Sequence, residues 1–166
     1  MNTSLPSTEI VARAVFSPLM INESGQLLRT AFSLRHNEGY ISVCQMSKAS
    51  WMDDVRSIPT NKNKVLEGYA TLIVDDVRKL TFVHHGKTVS FDVFDKSSMQ
   101  NKSHAGIVIF YDSNALKGDK DLVLKDLPED VSAPVVLLRA QRRLLKLANR
   151  RFVRWNAKDM EPSPMC

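Results

Sequence analysis

Apolar and polar residues alternate most regularly in the middle of this chain. The apolar positions are Leu80, Phe82, Val89, Phe91 and Val93, and Thr81, Ser90 and Asp92 stand between them. Such alternation is typical of β-strands that bury one face. If His85-Gly86 forms a two-residue turn, Phe82 lies opposite Val89 and the apolar side chains share one face. We therefore predict a β-hairpin, with a first strand at 68–83 and a second at 88–94.

Four further segments have the composition of strands. They are Ile10–Phe16, Leu27–Leu34, Tyr40–Met46 and Gly106–Tyr111. The second and third alternate and flank the turn residues Asn37-Glu38-Gly39, which predicts a second hairpin. Between the two hairpins, Ser50 is followed three residues later by Asp53, a spacing that favours a short helix over residues 50–56.

The last periodic segment predicts a helix from Ala133 to about Trp155, with Pro134 in its first turn, where a missing N–H costs nothing. One arc of this helix carries Leu137, Leu138, Gln141, Leu144, Leu145, Ala148 and Phe152. An arc of this kind packs against a core. The whole pattern predicts an α+β fold: an antiparallel sheet of about five to seven strands, with a long C-terminal amphipathic helix packed on one face.

The chain has 166 residues, enough for one domain with a full core. We expect this domain to span residues 10–155, with a disordered N-terminus at 1–9 and a disordered tail at 156–166. The two cysteines, Cys44 and Cys166, give no disulfide framework and no metal-ligand spacing, and the adjacent His84 and His85 lie at the predicted turn. Since no secretory signal or membrane-spanning run is found, we expect a cytoplasmic protein with no metal, no cofactor and no membrane partner.

Charge is concentrated in the C-terminal helix. Its seven basic residues contribute +7, more than the net charge of +5 for the whole chain, so the remaining residues carry a net charge of −2. Six of the seven fall on one arc, opposite the apolar one: Arg139, Arg142, Arg143, Lys146, Arg150 and Arg154. Basicity is therefore a local property of this chain.

A stripe of arginines about three turns long has four interpretations. It matches the spacing of phosphates along nucleic acid, and arginine favours bidentate phosphate contacts. It also suits an acidic protein partner, a membrane surface, or a solvated face that contacts nothing. We predict a binding protein that uses this basic helix to contact nucleic acid or an acidic protein. A non-catalytic subunit of a defence or toxin-neutralising complex is a further alternative.

A second group of residues could carry chemistry. Ser103 and His104 stand where a loop enters a predicted strand, and the sheet could bring Ser42 and Arg13 close to them. This arrangement would suit a small enzyme or an anion-binding module. In the purely structural alternative, His104 caps its strand, and Arg13 pairs with one of the carboxylates Asp75, Asp76 or Asp92. Convergence of the four side chains in a cleft would favour the first interpretation.

Several short motifs resemble a pattern found in a group of small uncharacterised bacterial proteins. They include Val11-Ala12-Arg13-Ala14, Ala31-Phe32, Ile41-Ser42-Val43 and Ser103-His104-Ala105-Gly106-Ile107. The resemblance extends over most of residues 11–148. It implies a shared fold and a shared site around Arg13, Ser42 and His104, and it brings no activity with it.

Overall fold

An antiparallel sheet forms the centre of the fold in the computed structural model, which describes residues 3–34, 38–117, 133–149 and 152–155. The described part of the chain contributes eight strands: β1 (Ile10–Ser17), β2 (Ile41–Gln45), β3 (Val65–Ile73), β4 (Thr81–His84), β5 (Lys87–Asp95), β6 (His104–Tyr111), β7 (Asn114–Ala115) and β8 (Val153–Arg154). Their order is β4-β5-β6-β2-β1-β3-β8, and β7 pairs with β6. The helices are α1 (Trp51–Arg56), α2 (Val74–Lys79), α3 (Ala133–Leu147) and a 3₁₀ helix (Arg29–Phe32). The predicted α+β class is confirmed.

The two faces of the sheet bury different clusters. One face packs against α3 and the 3₁₀ helix, and this core includes Val11, Val15, Ile41, Ile107, Ile109, Val136, Ala140 and Leu144. The other face carries a smaller cluster made of Ala14, Phe16, Cys44, Val55, Leu66 and Trp155, with α1 covering it. Because side chains alternate along a strand, Ser42 and His104 belong to this second face.

The hairpin predicted around His85-Gly86 is confirmed at its turn and in its register. Phe82 lies opposite Val89, and His85 and Gly86 have φ values of 50° and 75°, as a two-residue turn of this hand requires. The long first strand predicted over 68–83 is wrong, because helix α2 interrupts it. Val74 and Val77 are buried on one side of that helix, a spacing of three residues that suits a helix better than a strand.

The second predicted hairpin is wrong in its first strand. Residues 27–34 contain the 3₁₀ helix, and Leu27 and Phe32 are buried in the core beside α3. The physical reason lies in β2, which is paired with β1 on one edge and with β6 on the other. Both edges are therefore occupied, and no position beside β2 remains for a strand at 27–34.

The C-terminal helix is shorter than predicted. It ends at Leu147, and Asn149 adopts a left-handed φ of 56°, a conformation that ends helices and that asparagine tolerates. The chain then returns to the sheet, where Trp155 N–H donates to the carbonyl of Glu67 and the indole is buried. Burial of Trp155 on the second face requires the helix to stop before it.

At the N-terminus, residues 3–9 lie along the sheet. We expected disorder there from the polar composition, but the backbone N–H of Leu5 donates to Val93 O, and the Leu5 side chain is buried. Arg78 of α2 holds this segment by donating to Ser4 Oγ, Ser7 Oγ and the carbonyl of Leu5. The predicted tail at 156–166 lies outside the described residues.

Candidate functional site

A pocket opens on the second face of the sheet, beneath helix α1. It encloses about 590 Å³ of empty space, part of which is open solvent. Its polar lining consists of Arg13, Ser42, Asp54, Asn101 and His104, and its apolar lining includes Ala12, Ala14, Phe16, Val55 and Ile58. Three of the four residues singled out in the sequence, Arg13, Ser42 and His104, therefore converge here. We call this the central pocket.

Ser42 and His104 form a hydrogen-bonded pair in the central pocket. His104 Nε2 lies 3.3 Å from Ser42 Oγ, and the ring edge of Tyr40 packs against the imidazole at a centroid distance of 5.6 Å. Burial lowers the pKa of His104, and the positive charge of Lys96 acts in the same direction, whereas a hydrogen bond to the Lys96 backbone and the charges of Glu38 and Asp54 oppose it. The imidazole is therefore neutral near pH 7, the form that can accept a proton.

Arg13 is held in place by backbone carbonyls. Strands β1 and β2 pair at Val11–Gln45 and Ala12–Cys44, and beyond these pairs Arg13 donates from Nη1 to Ser42 O and from Nε to Ala31 O, both at 2.8 Å. Its side chain is 7% exposed. The guanidinium thus satisfies buried acceptors where the two strands separate. Since Val11 and Val15 of the same strand face the α3 core, the Arg13 side chain leaves β1 on that face, opposite the face of Ser42 and His104.

Two of the three carboxylates considered as partners for Arg13 pair with other cations. Asp92 accepts from Arg78 Nε at 2.7 Å, and Asp75 lies 2.6 Å from Lys79 Nζ. The adjacent Asp75 and Asp76 occupy the first turn of α2, where negative charge is favourable to a helix.

Ser103 supports the pocket from behind. Its side chain is fully buried, and both its hydroxyl and its backbone N–H donate to Asp54 Oδ2, at 2.5 and 3.1 Å. Ser50 Oγ donates to the same oxygen at 3.0 Å. Ser103 is therefore committed to Asp54 and does not line the central pocket with the other three candidates.

Asn101 and Asp54 are pocket residues that the sequence analysis missed. Asn101 Oδ1 is buried and has no hydrogen-bond partner among the described residues. The available signal for Asn101 was its position at the start of the motif that contains Ser103 and His104. For Asp54 it was the serine four residues earlier, since Ser50 bonds Asp54 instead of capping through Asp53.

Cys44 lies on the same face, next to His104 across the β2–β6 pair. Burial raises the pKa of its thiol, the negative charge of Asp54 adds to this, and Ser103 and Arg13 oppose it. The thiol therefore stays protonated at neutral pH and is a poor nucleophile.

The basic stripe of the C-terminal helix is divided in the structure. Arg139 Nη1 bonds Val83 O at 3.2 Å and His84 Nδ1 at 2.7 Å, which ties α3 to the edge strand β4. Arg154 lies on β8 and pairs with Glu67 at 2.7 Å. Arg150 lies outside the described residues. The predicted six-residue stripe along one helix is therefore not found.

Three cations of the stripe remain exposed on one side of α3: Arg142, Arg143 and Lys146. We call them the basic patch. Arg143 stacks on Phe82 with 5.2 Å between its guanidinium carbon and the ring centroid. Within the described ranges, no carboxylate forms an ion pair with any of the three.

Comparison with protein families gave no match, and searches among curated proteins and solved structures found no significant similarity. Among the described residues, no cluster of three or more His, Cys, Asp or Glu side chains is placed to hold a metal ion. The described helices include none that is both long and apolar enough to cross a membrane.

Proposed function

We propose that this protein binds a small polar ligand in the central pocket. The observation that carries the proposal is Asn101 Oδ1, a buried acceptor with no partner among the described residues, in the same pocket as the Ser42–His104 pair. A buried acceptor without a donor costs free energy of about 1–3 kcal/mol. A ligand that donates a hydrogen bond to it would recover that free energy on binding.

The arrangement of acceptors indicates the ligand's chemistry. When Ser42 donates its proton to His104 Nε2, the lone pairs of Ser42 Oγ become a second acceptor facing the pocket. Val55 and Ile58 supply an apolar wall. A ligand that fits has N–H donors and a short apolar part, as small amides do, whereas a carboxylate anion such as acetate has no donor.

The proposal is tested by recording amide chemical shifts of the labelled protein during titration with acetamide, acetate and inorganic phosphate. We expect acetamide to shift the resonances of Ser42, Asn101 and His104, and Asn101→Leu to remove that response. Asn63→Ala, which alters an exposed loop asparagine outside the central pocket, is the matched control. If acetamide shifts no pocket resonance in the native protein, the proposal is wrong.

A second candidate function is nucleic-acid binding by the basic patch, and the absence of ion pairs there among the described residues favours it. Arg142 and Lys146 are four residues apart, about 6 Å along the helix axis. If three phosphates are neutralised on duplex DNA, affinity should fall about 40-fold between 50 and 200 mM salt.

Fluorescence anisotropy with short DNA and RNA tests this candidate. The charge-reversed variant combines Arg142→Glu, Arg143→Glu and Lys146→Glu. Its control combines Lys62→Glu, Lys102→Glu and Lys117→Glu, which change the net charge equally at exposed sites away from α3. Loss of salt-sensitive binding in the first variant alone is expected. If both variants lose nucleic-acid binding equally, or if the native protein does not bind at 50 mM salt, the basic patch has no specific role in binding nucleic acid. Its contact is then an acidic protein or solvent.

A further inference from the structure

We infer that Ser42 is a nucleophile, activated by His104, and that the central pocket transfers the acyl group of small carboxylic esters to water. This inference rests on the proposed function, because the ester would occupy the same pocket as the ligand, with an N–H or O–H group elsewhere in the ester donating to Asn101 Oδ1. It adds a covalent step and assigns roles to two residues. Ser42 is the nucleophile and His104 is the base.

The first argument is the orientation of the imidazole. His104 Nε2 faces Ser42 Oγ at 3.3 Å, and the ring edge of Tyr40 packs against the imidazole at a centroid distance of 5.6 Å. In the tautomer that carries its proton on Nδ1, the Nε2 lone pair is directed at the Ser42 hydroxyl. An imidazole within hydrogen-bond reach of a hydroxyl is the usual arrangement for activating a serine.

The second argument is the protonation state of the base. The charged groups that act on His104 are Lys96, Glu38 and Asp54, and burial outweighs the two carboxylates, so its pKa is lowered. A neutral imidazole at physiological pH is ready to accept the serine proton.

The third argument is the contrast with the two other nucleophilic side chains nearby. Ser103 donates its hydroxyl to Asp54 and is fully buried, so its proton is held by a carboxylate and Ser103 itself does not line the pocket. The thiol of Cys44 has a raised pKa. Among the described residues that line the central pocket, Ser42 is the hydroxyl that faces an imidazole.

The reaction balances as two transfers. Ser42 Oγ forms a bond to the ester carbonyl carbon while its proton moves to His104 Nε2, and the carbonyl oxygen becomes negative. The carbon–oxygen bond to the leaving group then breaks, and the departing alkoxide takes the proton from His104. Water attacks the acyl-serine with His104 again as base, which releases the carboxylic acid and restores Ser42. No oxidant, metal or second substrate is needed.

The substrate class follows from the size and lining of the pocket. An ester with a short acyl chain suits a pocket of about 590 Å³, part of which is open solvent. Ala14, Val55 and Ile58 would contact the acyl chain.

The inference is tested with p-nitrophenyl acetate, by following release of p-nitrophenol and by locating the acetyl group with mass spectrometry of peptides. We expect acetylation of Ser42 in the native protein and none at this position in Ser42→Ala. His104→Gln should slow acetylation at least about 100-fold, the usual contribution of a general base. Ser90→Ala and His85→Asn, a strand serine and a turn histidine outside the pocket, are the matched controls and should react as the native protein does.

The pH dependence of acetylation distinguishes a base from a structural residue, because a purely structural role of His104 would not change that dependence. The rate of Ser42 acetylation should rise with pH and level off below pH 6.5, the ordinary pKa of histidine. A rate that keeps rising above pH 8, or equal acetylation in His104→Gln, contradicts activation by His104.

The outcomes separate this inference from the proposed function. If acetamide shifts the pocket resonances but Ser42 is never acetylated, the nucleophile assignment is wrong and ligand binding stands. If Ser42 is acetylated but acetamide does not bind, the amide class is wrong and the nucleophile assignment stands. Folding of each variant is checked by its amide spectrum, so that loss of reaction is not confused with loss of structure.

Discussion

Asp54 and Ser103 are joined by two hydrogen bonds, both accepted by Asp54 Oδ2, from the Ser103 hydroxyl at 2.5 Å and from its backbone N–H at 3.1 Å. They connect helix α1 to the start of strand β6, and the central pocket lies between these elements. Asp54→Ala should leave two buried donors of Ser103 without an acceptor. Since bonds to a charged group contribute about 1.5–3 kcal/mol each and are not additive, we expect a loss of about 2–4 kcal/mol in the free energy of unfolding.

Urea denaturation measures this loss, and Asp53→Ala is the control. Asp53 is the neighbouring residue of the same helix, and it forms an exposed ion pair with Arg56. Such pairs contribute about 1 kcal/mol or less. Equal destabilisation by the two variants would show that the hydrogen bonds of Asp54 do not hold α1 against β6.

Arg13 is expected to be required for the geometry of Ser42. Arg13→Met keeps much of the side chain's volume but leaves the carbonyls of Ala31 and Ser42 without these donors. We expect a loss of about 2–4 kcal/mol, because buried acceptors become unsatisfied. Arg13→Lys should recover only part of it, since a single ammonium cannot reproduce the fork of the guanidinium. Arg142→Met, on the exposed side of α3, should change stability by less than about 0.5 kcal/mol.

Stability should fall when the solution is acidified from about pH 7.5 to pH 5.5. Burial lowers the pKa of His104 in the folded protein, while in the unfolded chain it stays near 6.5. Below that value the unfolded chain binds a proton that the folded protein does not, so the free energy of unfolding decreases until pH reaches the lowered pKa.

His84 should also contribute to the loss of stability at low pH, because burial, His85 and Arg139 all lower its pKa. Urea denaturation at several pH values measures the total effect. His104→Gln should reduce the dependence of stability on pH in part. The exposed turn variant His85→Asn should retain most of that dependence. A His104→Gln curve parallel to that of the native protein would contradict the lowered pKa of His104.

Gly68 is expected to tolerate no side chain. A Cβ built at this position would lie 1.8 Å from Val153 O, so Gly68→Ala must separate β8 from β3. Trp155 would then lose its backbone bond to Glu67 and its burial beside Trp51. In a Trp51→Phe background, the fluorescence of Trp155 should shift to longer wavelength. Gly39→Ala, where a Cβ meets nothing within 4 Å, should leave the emission unchanged.

The parts of the fold that could be predicted are those whose signal is local. The turn at His85-Gly86 and the pairing of Phe82 with Val89 follow from adjacent residues alone. The end of α3 was also locally encoded, because Asn149 is a residue that commonly ends helices in the left-handed conformation. We extended the helix past it because Phe152 continued the apolar arc, although the buried Trp155 belongs to the other face of the sheet.

The parts that could not be predicted depend on pairing between distant segments. Residues 27–34 have a strand-like composition, but β1 and β6 already occupy both edges of β2. The convergence of Arg13, Ser42 and His104 could be suggested from strand positions. Asp54 and Asn101 enter the pocket through a helix and a loop whose placement depends on tertiary contacts, so the local signals at Ser50 and at the Ser103-His104 motif could not place them there.

The most direct test of the central claim is a crystal structure of the protein soaked with acetamide. We predict an acetamide molecule in the central pocket, with its nitrogen within hydrogen-bond distance of Asn101 Oδ1 and near Ser42 Oγ. The same soak of Asn101→Leu should show no acetamide there. Acetamide absent from the native pocket, or Asn101 Oδ1 bonded to another group of the protein, would contradict the account.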